Sequence, residues 1–89
     1  MADRSYTVWK SKSGGVGYLR AEFGETVVSN ADTVTFGGFS TTDNLLEAYL
    51  IKKSDGSEMS CTHAANNVVT ISGAGTNIAC IYMIYGYDA

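Results

Sequence analysis

The chain contains no proline, so no turn is set by a locked φ angle and the turns must come from its ten glycines with Asn, Asp and Ser. Charge is scarce as well. Asp, Glu, Lys and Arg make up 17% of the 89 residues, and none of them falls in residues 59–87; soluble domains carry about 25%. A net charge of −3 leaves no basic surplus to neutralise phosphates, which argues against nucleic acid and against an anionic membrane surface. The longest apolar run, residues 78–85, is far short of the about 20 residues that span a bilayer. With two cysteines and one histidine the chain lacks the four ligands of a structural zinc site. Its length excludes a doubly wound nucleotide fold and a (β/α)₈ barrel, which needs about 250 residues. What remains is one domain over residues 1–89, with about 5,000 Å² exposed when folded.

What is present is alternation of period two. In residues 5–10 it puts Tyr6 and Val8 on one side and Thr7 and Trp9 on the other. Residues 11–15 read as a turn. Residues 16–23 resume the alternation, with Leu19, Ala21 and Phe23 opposite Arg20 and Glu22. A short strand is expected over residues 33–36, ended by Gly37 and Gly38. Residues 42–53 are ambiguous: Asp43 is a helix cap candidate before Leu45 and Leu46, but the turn signal at residues 53–57 favours a strand over residues 46–52. Strands over residues 59–63, 68–72 and 78–86 follow at short spacing. Six to eight short strands on short turns make an all-β fold, a small antiparallel β-sandwich or barrel.

The last strand is apolar on both sides, with Ile78, Cys80, Tyr82 and Ile84 on one face and Ala79, Ile81, Met83 and Tyr85 on the other. A domain of this size has one core, so a two-faced strand leaves one face in want of a partner. Together with the charge deficit this favours an oligomer or a docked surface.

Catalytic constellations are thin. Cys61 and His63 lie two apart on one strand face, but no third group orients them. Glu22 with Glu25, or Glu47 with Glu58, would need a cleft that a chain this short does not build. The glycine clusters at residues 14–17 and 73–75 lack the Lys-Ser/Thr of a phosphate loop. The expectation is therefore no catalytic residue, no metal and no cofactor. If residues 59–63, 68–72 and 78–86 form a meander, Cys61 and Cys80 both face Thr70. They then stand two strand spacings apart, about 9.6 Å, beyond the reach of a disulfide, and two buried free thiols are expected. Residues 1–5 show no basic stretch leading into an apolar one, so synthesis in the cytoplasm with reduced thiols is expected. Exposed aromatics, Trp9 among them, suit either sugar stacking or a protein interface.

Residues 32–40 (Asp-Thr-Val-Thr-Phe-Gly-Gly-Phe-Ser), residues 66–77 (Asn-Asn-Val-Val-Thr-Ile-Ser-Gly-Ala-Gly-Thr-Asn) and residues 81–86 (Ile-Tyr-Met-Ile-Tyr-Gly) together resemble the small β-rich decoration, or cement, proteins of tailed-bacteriophage capsids. The resemblance implies a non-enzymatic virion structural protein that stabilises the capsid surface by bridging subunits of the major capsid protein, as a homo-oligomer, trimer or dimer. It neither binds nucleic acid nor enters a membrane. On that reading residues 1–5 form an arm, flexible or adding a strand to a neighbour's sheet, and the contact residues are Arg4, Tyr6 and Trp9 from one end with Tyr85 and Tyr87 from the other. Two other classes stay open: a carbohydrate or host-surface binding module of a phage fibre, and a small phage-encoded interaction protein.

Overall fold

The computed structural model describes residues 2–15, 18–42, 47–63, 67–73 and 75–89. The alternating segments form nine strands among these residues: β1 (Asp3–Arg4), β2 (Tyr6–Ser13), β3 (Leu19–Val28), β4 (Thr33–Thr35), β5 (Glu47–Lys52), β6 (Glu58–Met59), β7 (Cys61–His63), β8 (Val68–Ile71) and β9 (Ile78–Tyr87). They make a four-stranded sheet in the order β1-β4-β8-β7 and a five-stranded sheet in the order β2-β3-β9-β5-β6. Two open sheets packed face to face are a sandwich, which decides against the barrel. All pairings are antiparallel except β1 with β4. The accessible surface of 4933 Å² agrees with the value expected from mass alone.

The core lies between the sheets. Val34, Phe36, Phe39, Val69 and Ile71 from one side meet Val28, Ala48, Leu50, Met59, Cys80, Tyr82 and Ile84 from the other. At its centre Phe36 stacks between Tyr6 and Tyr82, with ring centroids 4.8 Å from each. β9 is the middle strand of the larger sheet and pairs with β3 over its whole length, from Leu19 opposite Tyr87 to Val28 opposite Ile78. Of its two apolar sides, the one with Cys80, Tyr82 and Ile84 points inward, while Met83, Tyr85 and Tyr87 point to solvent.

Several expectations are corrected. The turn placed at residues 11–15 starts later, because β2 continues to Ser13 opposite Arg20. The strand expected over residues 59–63 is two strands in different sheets, the chain changing sheets at Ser60. The expected meander is not formed: β8 pairs with β4 and β7, β9 crosses to the other sheet, and Cys61 stands opposite Ile71 rather than Thr70. Both cysteines are free, Cys80 buried and Cys61 half-buried. The helical turn considered at residues 43–46 lies outside the described residues, while β5 occupies the strand expected after it.

β2 carries a bulge between Val8 and Lys10 that reverses its alternation. Before it Tyr6 lies opposite Thr26, on the core side of the sheet; after it Lys10 and Lys12 lie opposite Phe23 and Ala21, on the solvent side. Without the bulge those lysines would share a face with Tyr6. The bulge is possible because Gly24 has no side chain: a Cβ there would collide with the Thr7 carbonyl.

Residues 2–4 are tied to their own chain. β1 adds itself to the edge of β4, the backbone N–H of Ala2 donates to Asp32 Oδ1 at 2.9 Å, and Arg4 Nε donates to Asp32 Oδ2 at 2.6 Å. The Asp32 carboxyl is held below the ordinary aspartate value of 3.8, chiefly by the Ser29 backbone N–H and then by Arg4 and Ala2. Because the folded pKa is the lower one, this stabilisation is present above the ordinary value and is lost as pH falls through it towards the folded value. Urea midpoints of the native chain should therefore fall between about pH 6 and pH 3 more steeply than those of an Asp32→Asn variant. Equal slopes would show that Asp32 does not couple the terminus to folding.

Candidate functional site

On its solvent side β3 is apolar except for Glu25, and its core side carries Arg20, Glu22 and Thr26 before the buried Val28. Glu22 and Thr26 are buried, while Leu19 is 56% and Phe23 41% exposed. The inversion has a local cause. Glu22 Oε2 accepts from the Tyr82 hydroxyl at 2.9 Å, and Glu22 Oε1 accepts from Arg20 Nη2 at 3.0 Å. The Arg20 guanidinium lies over the Phe39 ring, with its Nη1 3.6 Å from Asp88. Burial, followed by the bond to Glu22, pushes the Tyr82 hydroxyl far above the ordinary tyrosine value, so it remains a donor. The Glu22 carboxylate and the Tyr82 phenol satisfy each other only with Glu22 inside, while Arg20 keeps Nη2 on the same carboxylate and its buried Nε has no acceptor among the described residues. Since strand side chains alternate, fixing Glu22 inward sends Leu19, Ala21, Phe23 and Val27 outward.

The ladder registers then set out the outer face row by row. Lys12, Ala21, Tyr85 and Glu47 lie side by side across β2, β3, β9 and β5. The next row is Lys10, Phe23, Met83 and Tyr49. The row after it is Thr7, Glu25, Ile81, Ile51 and Glu58, reaching β6. Leu19 beside Tyr87 and Val27 beside Ala79 close the two ends. The middle of this face is continuous apolar and aromatic surface, with Met83 at its centre 48% exposed. Large exposed apolar patches on a small domain mark interaction surfaces.

Apart from Glu25 on β3, the charges sit at the margins. Lys10 and Lys12 line the β2 side, and Glu47 and Glu58 the opposite side. Among the described residues none of these four enters an ion pair. Glu47 raises the Tyr49 hydroxyl pKa, with smaller contributions from burial, Tyr85 and Glu58, so the acidic margin reaches the edge of the aromatic patch. Lys53 bridges to Glu25 at 2.9 Å near the Val27 end, an exposed pair worth about 0–1 kcal/mol.

Compared with protein-family models, with curated proteins and with solved structures, the chain matches none. The site must therefore be read from its own geometry.

Of the five residues the sequence offered as contacts, Tyr85 and Tyr87 belong to this face. Trp9, 48% exposed, stands on the β2 bulge at the sheet's free edge. Arg4 and Tyr6 are committed within the chain. Arg4 also reaches Ser29 and Asn77, and the Tyr6 hydroxyl, its ring against Phe36, accepts the Gly37 N–H at 2.9 Å. Phe23, Tyr49 and Met83, which form the centre of the face, were not singled out as contacts. For Phe23 the signal is the apolar side of β3, which reads as core until Glu22 takes the inside, and for Met83 it is the second apolar side of β9; Tyr49 on β5 joins them only through the ladder register.

The thiols are poor nucleophiles. Burial, with Glu58 and Glu47 nearby, raises Cys61, and burial pushes Cys80 up to about 11. Cys61 Sγ donates to the Ala48 carbonyl at 3.8 Å.

Replacing Tyr82 with Phe keeps the ring but removes a donor from the buried Glu22 carboxylate. Urea unfolding of this variant should show a loss of about 1–3 kcal/mol. A loss below about 0.5 kcal/mol would mean that the phenol does not hold Glu22 in place.

Proposed function

We propose that this protein is a non-enzymatic assembly component whose exposed sheet face is buried against protein in its working state. That state, on the resemblance described above, is the outer surface of a phage capsid, where oligomers of the chain bridge subunits of the major capsid protein. One observation carries the reading: a contiguous apolar face built on the central strands of the sheet, outside the chain's single core. A chain acting alone gains nothing from showing Leu19, Phe23, Met83 and Tyr85 to water, and one that is covered on assembly gains their burial.

The edges support the same reading. The long free strand β2 is guarded by a bulge and by Lys10 and Lys12, devices that discourage strand addition, whereas the central row of the face, Phe23, Met83 and Tyr49, carries no charge. A sugar-binding role draws on the same aromatics, but Phe23, Ile81 and Met83 between them offer a sugar no hydrogen-bonding partner.

The test is whether the protein purifies with capsids in stoichiometric amounts and whether Met83→Lys releases it. Met83 is half exposed in the single chain, so the variant should keep its melting temperature within a few degrees while its occupancy on particles falls at least about tenfold. Absence of the native protein from purified particles would remove the capsid setting. Undiminished occupancy of the variant would remove the face from the contact.

A further inference from the structure

The distribution of charge and shape on this face selects an occupant. We infer that the outer face of the five-stranded sheet packs on the same face of a second copy, about a two-fold axis that lies in the interface and runs along the strands. The inference rests on the proposal that this face is covered and names what covers it.

The first argument is charge. The unpaired charges of the face are antisymmetric about β9, with Lys10 and Lys12 on one side and Glu47 and Glu58 on the other, while Glu25 on β3 is already paired with Lys53 of its own chain. A two-fold axis along the strands lays β2 of each copy over the β5–β6 side of its mate. Both lysines of each copy then meet the glutamates of the other, twice by symmetry. An axis perpendicular to the strands within the same plane would set lysines on lysines and glutamates on glutamates. Charge thus chooses one of the two face-to-face arrangements.

The second argument is shape. A shallow hollow of about 220 Å³ lies on the β5 side, lined by Tyr49, Ile51, Gly56, Glu58 and Met83. Phe23, one strand to the other side of β9 and level with Met83 and Tyr49, is the large apolar side chain that the same axis brings over it. Each copy thereby offers one ring and one hollow.

The third argument is area. β9 is ten residues long. β3 also has ten, β2 eight and β5 six, so at about 3.3 Å per residue and about 4.8 Å between strands the four present about 540 Å² per copy. Two copies bury about 1,080 Å², just above the about 1,000 Å² that a specific interface should clear. Sheets stacked in this way keep their strands within about 30° of each other, which preserves the pairing of the charged margins.

Sedimentation equilibrium on the whole chain tests this. The native protein should run at twice its 9.5 kDa mass and dissociate more readily as salt is added, since the marginal charges are exposed and attract. Met83→Lys should be a folded monomer. Lys10→Glu with Lys12→Glu makes both margins acidic, and Glu47→Lys with Glu58→Lys makes both basic. Each double variant alone should dimerise at least about tenfold more weakly, and an equimolar mixture should recover the dimer. A dimer strengthened by salt, or double variants that dimerise like the native chain, would overturn the arrangement. A native monomer at about 100 µM, well above the dissociation constant of a stable dimer, overturns the inference. If Met83→Lys then still releases the protein from particles, the covered-face proposal survives with the shell itself as the occupant; if it does not, both fall.

Discussion

The buried carboxylate of Glu22 decides what this molecule shows to its surroundings. Tyr82 and Arg20 hold it on the inner side of β3, and strand geometry then places Leu19, Ala21, Phe23 and Val27 outside. A buried ion pair is weak support for stability, because desolvation offsets much of its Coulomb energy. Its effect here is on orientation. If β3 turned its other side inward, Phe23 and Leu19 would enter the core and Glu22 would reach water together with Arg20, its neighbour on the same side of the strand, and that arrangement is blocked by leaving the buried Tyr82 hydroxyl on β9 without its acceptor.

From this follows a division of labour across the sandwich. The inner faces carry the core, and the Asp32 cluster with Arg4 and Ser29 binds the terminus to it. The outer face of the larger sheet serves no purpose within a single chain. In the proposed pair its apolar centre and opposed charged margins would meet a copy of themselves, and Trp9, 48% exposed on the β2 bulge, would stay outside that contact. An oligomer with one covered face and a free aromatic edge suits a role in a larger assembly.

Much of the architecture was legible in the residues. Period-two alternation and glycine turns pointed to an all-β sandwich or barrel, between which the two sheets decide, and β9 with apolar residues on both sides implied a face in want of cover. The side of β3 that faces inward was not legible, because local pattern puts Leu19 and Phe23 in the core and only the long-range partner Tyr82 reverses that. The bulge at Val8 to Lys10 was hidden for a similar reason: the space that Gly24 leaves for Thr7 depends on a pairing that alternation does not reveal. Nor did spacing alone distinguish a meander from a crossing. β6 and β7 are separated by one residue yet belong to different sheets, and β8 passes the chain to β9 across the sandwich. Tyr85 and Tyr87 were within reach of sequence reasoning. Phe23, Tyr49 and Met83 join them only through the ladder registers.

The central claim is that a second copy covers this face, and Met83 at its middle reports on it directly. Peroxide oxidation of Met83, followed by mass spectrometry across a dilution series, distinguishes a covered thioether from an open one. A covered face predicts that Met83 is protected in concentrated solution and becomes reactive on dilution below the dissociation constant. Oxidation of Met83 at one unchanging rate across the series would contradict it.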